Sequence, residues 1–188
     1  MLRDELLEFT PVNEQEQRDK REMIRWLDRG EDAIYTRENH AAHMTASAWV
    51  VSPDRKHVLM AYHNLYHSWA WLGGHADGET ELRNVARREA EEESGVSRLK
   101  LLHDGIFSIE ILTVDGHVKK GEYVPSHLHL NVTYLFEAGM DERLFVKPDE
   151  NSAVGWIAVD ELAEKVSEPW MLKWVYEKLC GKVEQLER

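Results

Sequence analysis

The amino-acid sequence predicts an α+β fold: an α/β/α sandwich around a mixed β-sheet, preceded by an N-terminal helical arm. Three observations lead there. Strand-like and helix-like stretches are interleaved without a regular β–α–β rhythm. The clearest helix falls mid-chain, where Leu82, Val85, Ala86 and Ala90 recur at i, i+3, i+4 and i+8. The first 40 residues are charged and helical in pattern, and the character changes at His43. The expected organisation is an arm over residues 1–40 and a main domain over 41–188.

In chain order, Thr10-Pro11 reads as a helix start, and Met23, Ile24 and Leu27 recur at helical spacing with Trp26 beside them. Gly30 ends that run, and Glu31 to His40 is ambiguous. Thr45 to Val51 and His57 to Tyr62 read as two strands of a hairpin, joined by a turn over Ser52 to Lys56. Trp69 to Leu72 is short and apolar and ends at Gly73-Gly74. A helix over 79–94 follows, stopped by Gly95. Strands are expected over 99–115 and 126–137, with a polar loop holding Asp115-Gly116 and Gly121 between them. A short strand is expected from Val154 to Val159. The tail from Glu161 to Leu179 reads as helix, with Trp170, Leu172, Trp174, Val175 and Leu179 as core.

Composition narrows the function classes. The chain has 188 residues, enough to bury a core. Acids number 35 and bases 23, a formal charge of 23 − 35 = −12. That balance argues against nucleic acid or an anionic membrane as the main partner, because both call for basic patches. No apolar run approaches the roughly 18 residues of a membrane span. The single cysteine, Cys180, excludes an internal disulfide framework and an all-cysteine zinc site. No signal-peptide pattern opens the sequence at Met1 to Glu5, so the expected location is cytoplasmic. A homodimer is compatible with this composition.

The chemistry concentrates in Gly73-Gly74-His75-Ala76-Asp77-Gly78-Glu79 and in the end of the helix after it, Arg88-Glu89-Ala90-Glu91-Glu92-Glu93-Ser94-Gly95-Val96. Glu89, Glu92 and Glu93 are spaced i, i+3 and i+4 and so share one helix face. Like charges in that arrangement cost roughly 0.2–0.5 kcal/mol per pair. Carboxylates near a helix C-terminus also oppose its dipole. A cation removes both penalties, and a cluster of hard oxygen donors points to Mg2+ or Mn2+ rather than zinc. Arg88 is placed to orient one of these carboxylates. The glycines allow backbone to approach a ligand closely, and a carbonyl there offers a further metal ligand.

Gly74 through Val96, 23 residues, resembles the Nudix box. That pattern is Gly, five residues, Glu, seven residues, then Arg-Glu-aliphatic-any-Glu-Glu-any-Gly-aliphatic. Gly74, Arg88, Glu89, Ala90, Glu92, Glu93, Gly95 and Val96 fall on it, with the spacing kept. The order of elements over about 43–180 is also similar to a Nudix domain. There are departures. Thr80 stands at the first Glu position, with Glu79 and Glu81 on either side and Glu79 the candidate for that role. Leu72 stands where Pro usually precedes the two glycines, and Ala90 is a small occupant of the aliphatic site.

The resemblance implies a Nudix-type pyrophosphohydrolase. The expected substrate is a small molecule in which a nucleoside diphosphate is linked to another moiety. Attack would be by a metal-activated water on phosphorus, chemistry that needs charge neutralisation on the phosphate oxygens. By the same resemblance Glu89, Glu92 and Glu93 hold Mg2+ (or Mn2+), with the Gly74 carbonyl as a further ligand and Arg88 beside them. Glu150, six residues before Trp156, matches an extra loop Glu that serves the family as ligand or base; as a loop carboxylate it equally reads as solvated. The box does not settle which carboxylate is the base.

Substrate contacts are expected from His75 in the glycine loop, from Trp69 and Trp71 just before it, and from His127 and His129. The two tryptophans suit either stacking on a substrate or core packing. His127, His129 and Asn131 alternate, so they face one side of a strand and either line a cleft or meet water. The other histidines carry no recognisable ligand pattern: His63 and His67 lack the Glu of the zinc-protease motif, and His40 and His43 are no better. Two alternatives differ in class. An isoprenoid-diphosphate isomerase would call for an acid/base Cys near the site, and Cys180 lies in the tail. A ligand-binding regulator without turnover would be expected to have lost its glutamates.

Overall fold

The computed structural model describes residues 1–30, 32–119, 121–148 and 151–186. Its strands form a mixed sheet accompanied by helices, the α+β class the sequence predicts. The chain divides into two compact units. The first comprises residues 1–47, 73–85 and 104–134, and the second 48–72, 86–103 and 135–188. Among the described residues no helix is long and apolar enough to cross a membrane.

The first unit opens with α1 (Leu2–Glu8) and α2 (Glu14–Asp28). The α2 cap is Asn13, whose side chain accepts a hydrogen bond from the Glu16 amide at 2.9 Å, not Thr10-Pro11. Asn is the stronger cap because its amide oxygen reaches an amide of the first turn that otherwise has no partner. Met23 is fully buried, and a short 3-10 turn over Asp32–Tyr35 follows. Strand β1 (Ala42–Val51) is buried at every position, so no polar alternation marked its first three residues. Strand β4 (Leu72–His75) pairs with it, and the Ala76 amide donates to the Met44 carbonyl at 3.1 Å.

Strand β6 (Ser108–Val114) pairs antiparallel with β9 (His127–Glu137), from Ser108 opposite Thr133 to Val114 opposite His127. Side chains of α2 cover β6. Gln15 donates to the Ile109 carbonyl at 3.0 Å, and Asp19 accepts from the Ile111 amide at 3.0 Å. Backbone groups that β9 leaves over are thereby met by the N-terminal helices. The single strand expected over 99–115 is two. β5 (Lys100–Leu101) pairs with the far end of β9 and is separated from β6 by a turn through Gly105. The polar loop after β6 contains a small hairpin of its own, β7 (His117–Lys119) and β8 (Glu122–Val124).

In the second unit β2 (His57–His63) pairs with the end of β1, Val51 opposite Val58, through a turn in which Ser52 donates to Asp54 at 2.6 Å. β3 (Ser68–Ala70) and β10 (Asn151–Ala158) flank β2. Helix α3 (Leu82–Ser94) starts three residues later than the expected 79. Residues 79–81 instead turn ahead of it, the Glu79 carboxylate accepting from the Glu81 amide at 2.8 Å.

The tail forms α4 (Leu162–Lys165), α5 (Pro169–Met171), a π-helical turn over Leu172–Tyr176 and α6 (Glu177–Leu186). Val175, Tyr176 and Leu179 are buried as core, whereas Trp170 and Trp174 are 46% and 41% exposed, against expectation. The π turn takes up an extra residue, so α-helical spacing assigns its two sides wrongly. Tyr176, not a neighbouring tryptophan, fills the interior: its ring stacks on Trp49 at 5.5 Å and meets Trp71 edge-on at 5.8 Å.

Candidate active site

The acidic end of α3 belongs to the second unit. Ala90 is fully buried, so the helix packs by a small residue and presents the glutamates beside it. Arg88 Nη2 lies 3.1 Å from Glu89 Oε1, and its Nε lies 4.0 Å from Glu92 Oε1. Lys147 approaches the other oxygen of Glu92 at 3.3 Å. Glu93 is only 5% exposed and accepts a 3.0 Å hydrogen bond from the Asn151 side-chain amide. Asn151 is itself buried, and its Oδ1 has no hydrogen-bond partner. A carboxylate this far from water needs compensation by charge or hydrogen bonds. Gly95 closes the helix with φ +81°, and a Cβ there would lie 2.6 Å from the Phe145 ring. Both facts demand glycine.

The glycine loop belongs to the first unit. A Cβ on Gly73 would fall 2.6 Å from the Ala46 carbonyl oxygen, so β1 and this loop approach more closely than any side chain permits. Gly74 and His75 continue β4. The turn after it is held by Arg37, whose guanidinium makes a two-pronged contact with Asp77 at 2.8 and 2.7 Å. Thr80 is exposed.

The same unit gathers histidines. Imidazoles of His43, His75 and His129 each offer a ligand atom, all within 4.8 Å of one another. His127 adjoins them, its Nε2 lying 3.2 Å from that of His129. Burial pushes the His75 imidazole down to about 3 and that of His129 to about 2, and it lowers His43 as well. All three are therefore neutral at physiological pH. His43 was missed by sequence reasoning. Strand pairing, not local spacing, brings it to His75, so no short pattern could have signalled it.

Asn131 neither lines a cleft nor meets water. It is buried, donating to Glu110 at 3.1 Å and accepting from Thr45 at 3.0 Å and Ser47 at 2.9 Å. Ser108 extends this network, lying 2.6 Å from Glu110 and 2.9 Å from Glu16 of α2. In the second unit Trp69 and Trp71 are half-buried. Trp69 meets Tyr62 edge-on at 5.9 Å, and the Trp71 amide donates to the Tyr176 hydroxyl at 3.3 Å. Glu150 lies outside the described residues.

The family model for the NUDIX domain matches residues 41–177. The chain belongs to the NUDIX family. It is accordingly an enzyme of the Nudix type, acting on a diphosphate anhydride bond. No curated protein sequence matches it. Solved NUDIX structures share its fold. An Ap4A hydrolase binary complex from C. elegans aligns with TM-score 0.55 at 17% identity, covering 76% of this chain and 96% of that one. RenU, a Nudix hydrolase from M. smegmatis, aligns with TM-score 0.56 at 15% identity, covering 77% and 87%. A NUDIX-family hydrolase from Clostridium perfringens aligns with TM-score 0.51 at 18% identity, covering 77% and 97%.

Proposed function

We propose that this NUDIX protein is a Mg2+-dependent hydrolase of a diphosphate linkage in a nucleoside diphosphate joined to another moiety. The carrying observation is the carboxylate set on α3, with Glu93 buried and hydrogen-bonded by Asn151. The donors fit the ion. Three carboxylates on one helix face supply hard oxygens, and the buried Oδ1 of Asn151 is a further oxygen without a partner. Glu89, Glu92 and Glu93 would hold Mg2+, which supplies charge neutralisation on the diphosphate oxygens.

The protein's own groups do the rest. Asn151 fixes the orientation of Glu93, so that carboxylate does not swing when substrate arrives. Arg88 holds Glu89 and reaches toward Glu92. A carboxylate of this set takes the proton from the attacking water as its oxygen bonds to phosphorus and the bridging oxygen leaves. Trp69 and Trp71 offer aromatic surface for the non-phosphate moiety. Cys180, half-buried in α6 with its thiol pushed up to about 12 by desolvation, does not suit the acid/base work that an isomerase would ask of it.

The test is phosphate or pyrophosphate release with Mg2+ across nucleoside di- and triphosphates, nucleotide sugars, dinucleoside polyphosphates and dinucleotide cofactors. Turnover of at least one member, lost in Glu93→Gln, is the expected result. Turnover unchanged in Glu92→Gln and in Glu93→Gln would remove the α3 carboxylates from the mechanism.

A further inference from the structure

We propose that His43, His75 and His129 form a binding site for a zinc-class transition metal, with ligand chemistry unlike that of the α3 carboxylates. The three residues come from β1, β4 and β9, and their ligand atoms lie within 4.8 Å of one another. His43 carries the argument furthest. Its Nδ1 lies 3.1 Å from the Asn39 carbonyl, an acceptor only, so Nδ1 bears the hydrogen. Nε2 is left as a bare lone pair. That nitrogen is buried without any hydrogen-bond partner, in a side chain only 5% exposed. An imidazole fixed at one nitrogen by a backbone carbonyl, with the other aimed at neighbouring imidazoles, is the usual arrangement of a metal-binding histidine.

His127 repeats the device. Its Nδ1 lies 2.8 Å from the Pro125 carbonyl, and its Nε2 faces His129 Nε2 at 3.2 Å. A tetrahedral site with Zn–N bonds of about 2.0–2.1 Å has an edge of about 3.3–3.4 Å between ligand atoms. His127 is therefore placed either to orient His129 or to become a fourth ligand. Ring centroids within the group are 4.8–5.1 Å apart.

The charged groups around the cluster do not forbid a cation. Arg37 is held by Asp77, and the charge of Lys119 acts on His75 less strongly than that of Arg37. An anion is the poorer occupant, because the His43 lone pair would repel it. Imidazole donors select zinc, cobalt or nickel over magnesium, which prefers oxygen. On this proposal His75 and His129 ligate a metal, a role different from the substrate contact expected of them from sequence.

The test uses the full chain, without an affinity tag, stripped by chelator and then given one equivalent of Zn2+ or Co2+ in excess Mg2+. One equivalent of zinc should survive dialysis and raise the melting temperature, and cobalt should give the visible absorption bands of a tetrahedral site. His75→Ala and His129→Ala should each weaken binding by at least about 10–100-fold, the range for losing a mere outer-shell partner. Glu92→Gln should bind zinc as the parent does, which separates this proposal from the hydrolase reading. On the unmodified chain, zinc should protect His75 and His129 from diethyl pyrocarbonate, a measurement independent of whether the variants fold. The proposal is overturned by no retained zinc in the parent, by equal binding in both histidine variants, by loss of binding in Glu92→Gln, or by no protection.

Discussion

Two clusters of potential metal ligands lie in different units of this chain, and they are built on opposite principles. The carboxylates of α3 come from one helix, four residues apart at most, and are met by Arg88, Lys147 and Asn151. The histidines come from three strands; His43, His75 and His129 bear no charge, and His43 and His127 are each braced by a backbone carbonyl. The first is a local sequence feature whose cost, like charges on one face, is visible before any fold is known. The second has no cost in the unfolded chain and acquires one only when His43 is buried with a nitrogen unpaired. Hard, charged oxygens suit an exchangeable Mg2+, whereas neutral nitrogens suit a tightly held ion of the zinc class.

The largest effect that separates the two is on turnover. Glu93→Gln should lower kcat by at least about 100-fold, since it removes a charge that no neighbour can replace. Its zinc content should stay that of the parent. Asn151→Ala comes next. It leaves the carboxylate in place but removes the group that orients it, and a loss of about 10–100-fold in Mg2+ affinity or activity is expected. A steady-state Mg2+ titration checks it, and Asn151→Ala with an unchanged Mg2+ dependence would reduce the amide to a packing element.

Stability variants sharpen the contrast at smaller scale. Gly95→Ala should destabilise the fold by about 1–2 kcal/mol from its left-handed backbone alone, and by more through the Phe145 contact. Denaturant midpoints measure this, and the histidine cluster should be untouched. A further effect is pH-dependent. His75 and His129 are held near 3 and 2 in the folded chain, against an ordinary 6.5. The unfolded chain therefore binds these protons first. In chelator, their contribution should be full above about pH 6.5 and lost progressively as pH falls toward 3. Stabilisation by bound zinc should be greatest above about pH 6.5 and fade as pH falls, because the ion and the protons compete for the same lone pairs. Melting temperatures with and without zinc across this range give the answer.

Much of this was legible from residues alone where the signal is local. The α3 stripe, the Gly95 stop and the acidic face follow from spacing, and the hairpin of β1 and β2 follows from its turn. Misreadings fall where the chain departs from regular geometry or where partners are distant. The π turn at Leu172–Tyr176 exposed Trp170 and Trp174 and buried Tyr176. Asn13 caps α2 because its oxygen meets the Glu16 amide, a contact that Thr10-Pro11 does not make.

By itself, the sequence determined the family and the shared helix face of Glu89, Glu92 and Glu93, because helical periodicity brings i, i+3 and i+4 together whatever surrounds them. Only the tertiary structure decided which carboxylate is buried, what Asn131 bonds to, and that His43 meets His75 and His129. Those outcomes depend on strand register and burial, which bring together residues as far apart as 43 and 129, and no pattern within either segment encodes that meeting.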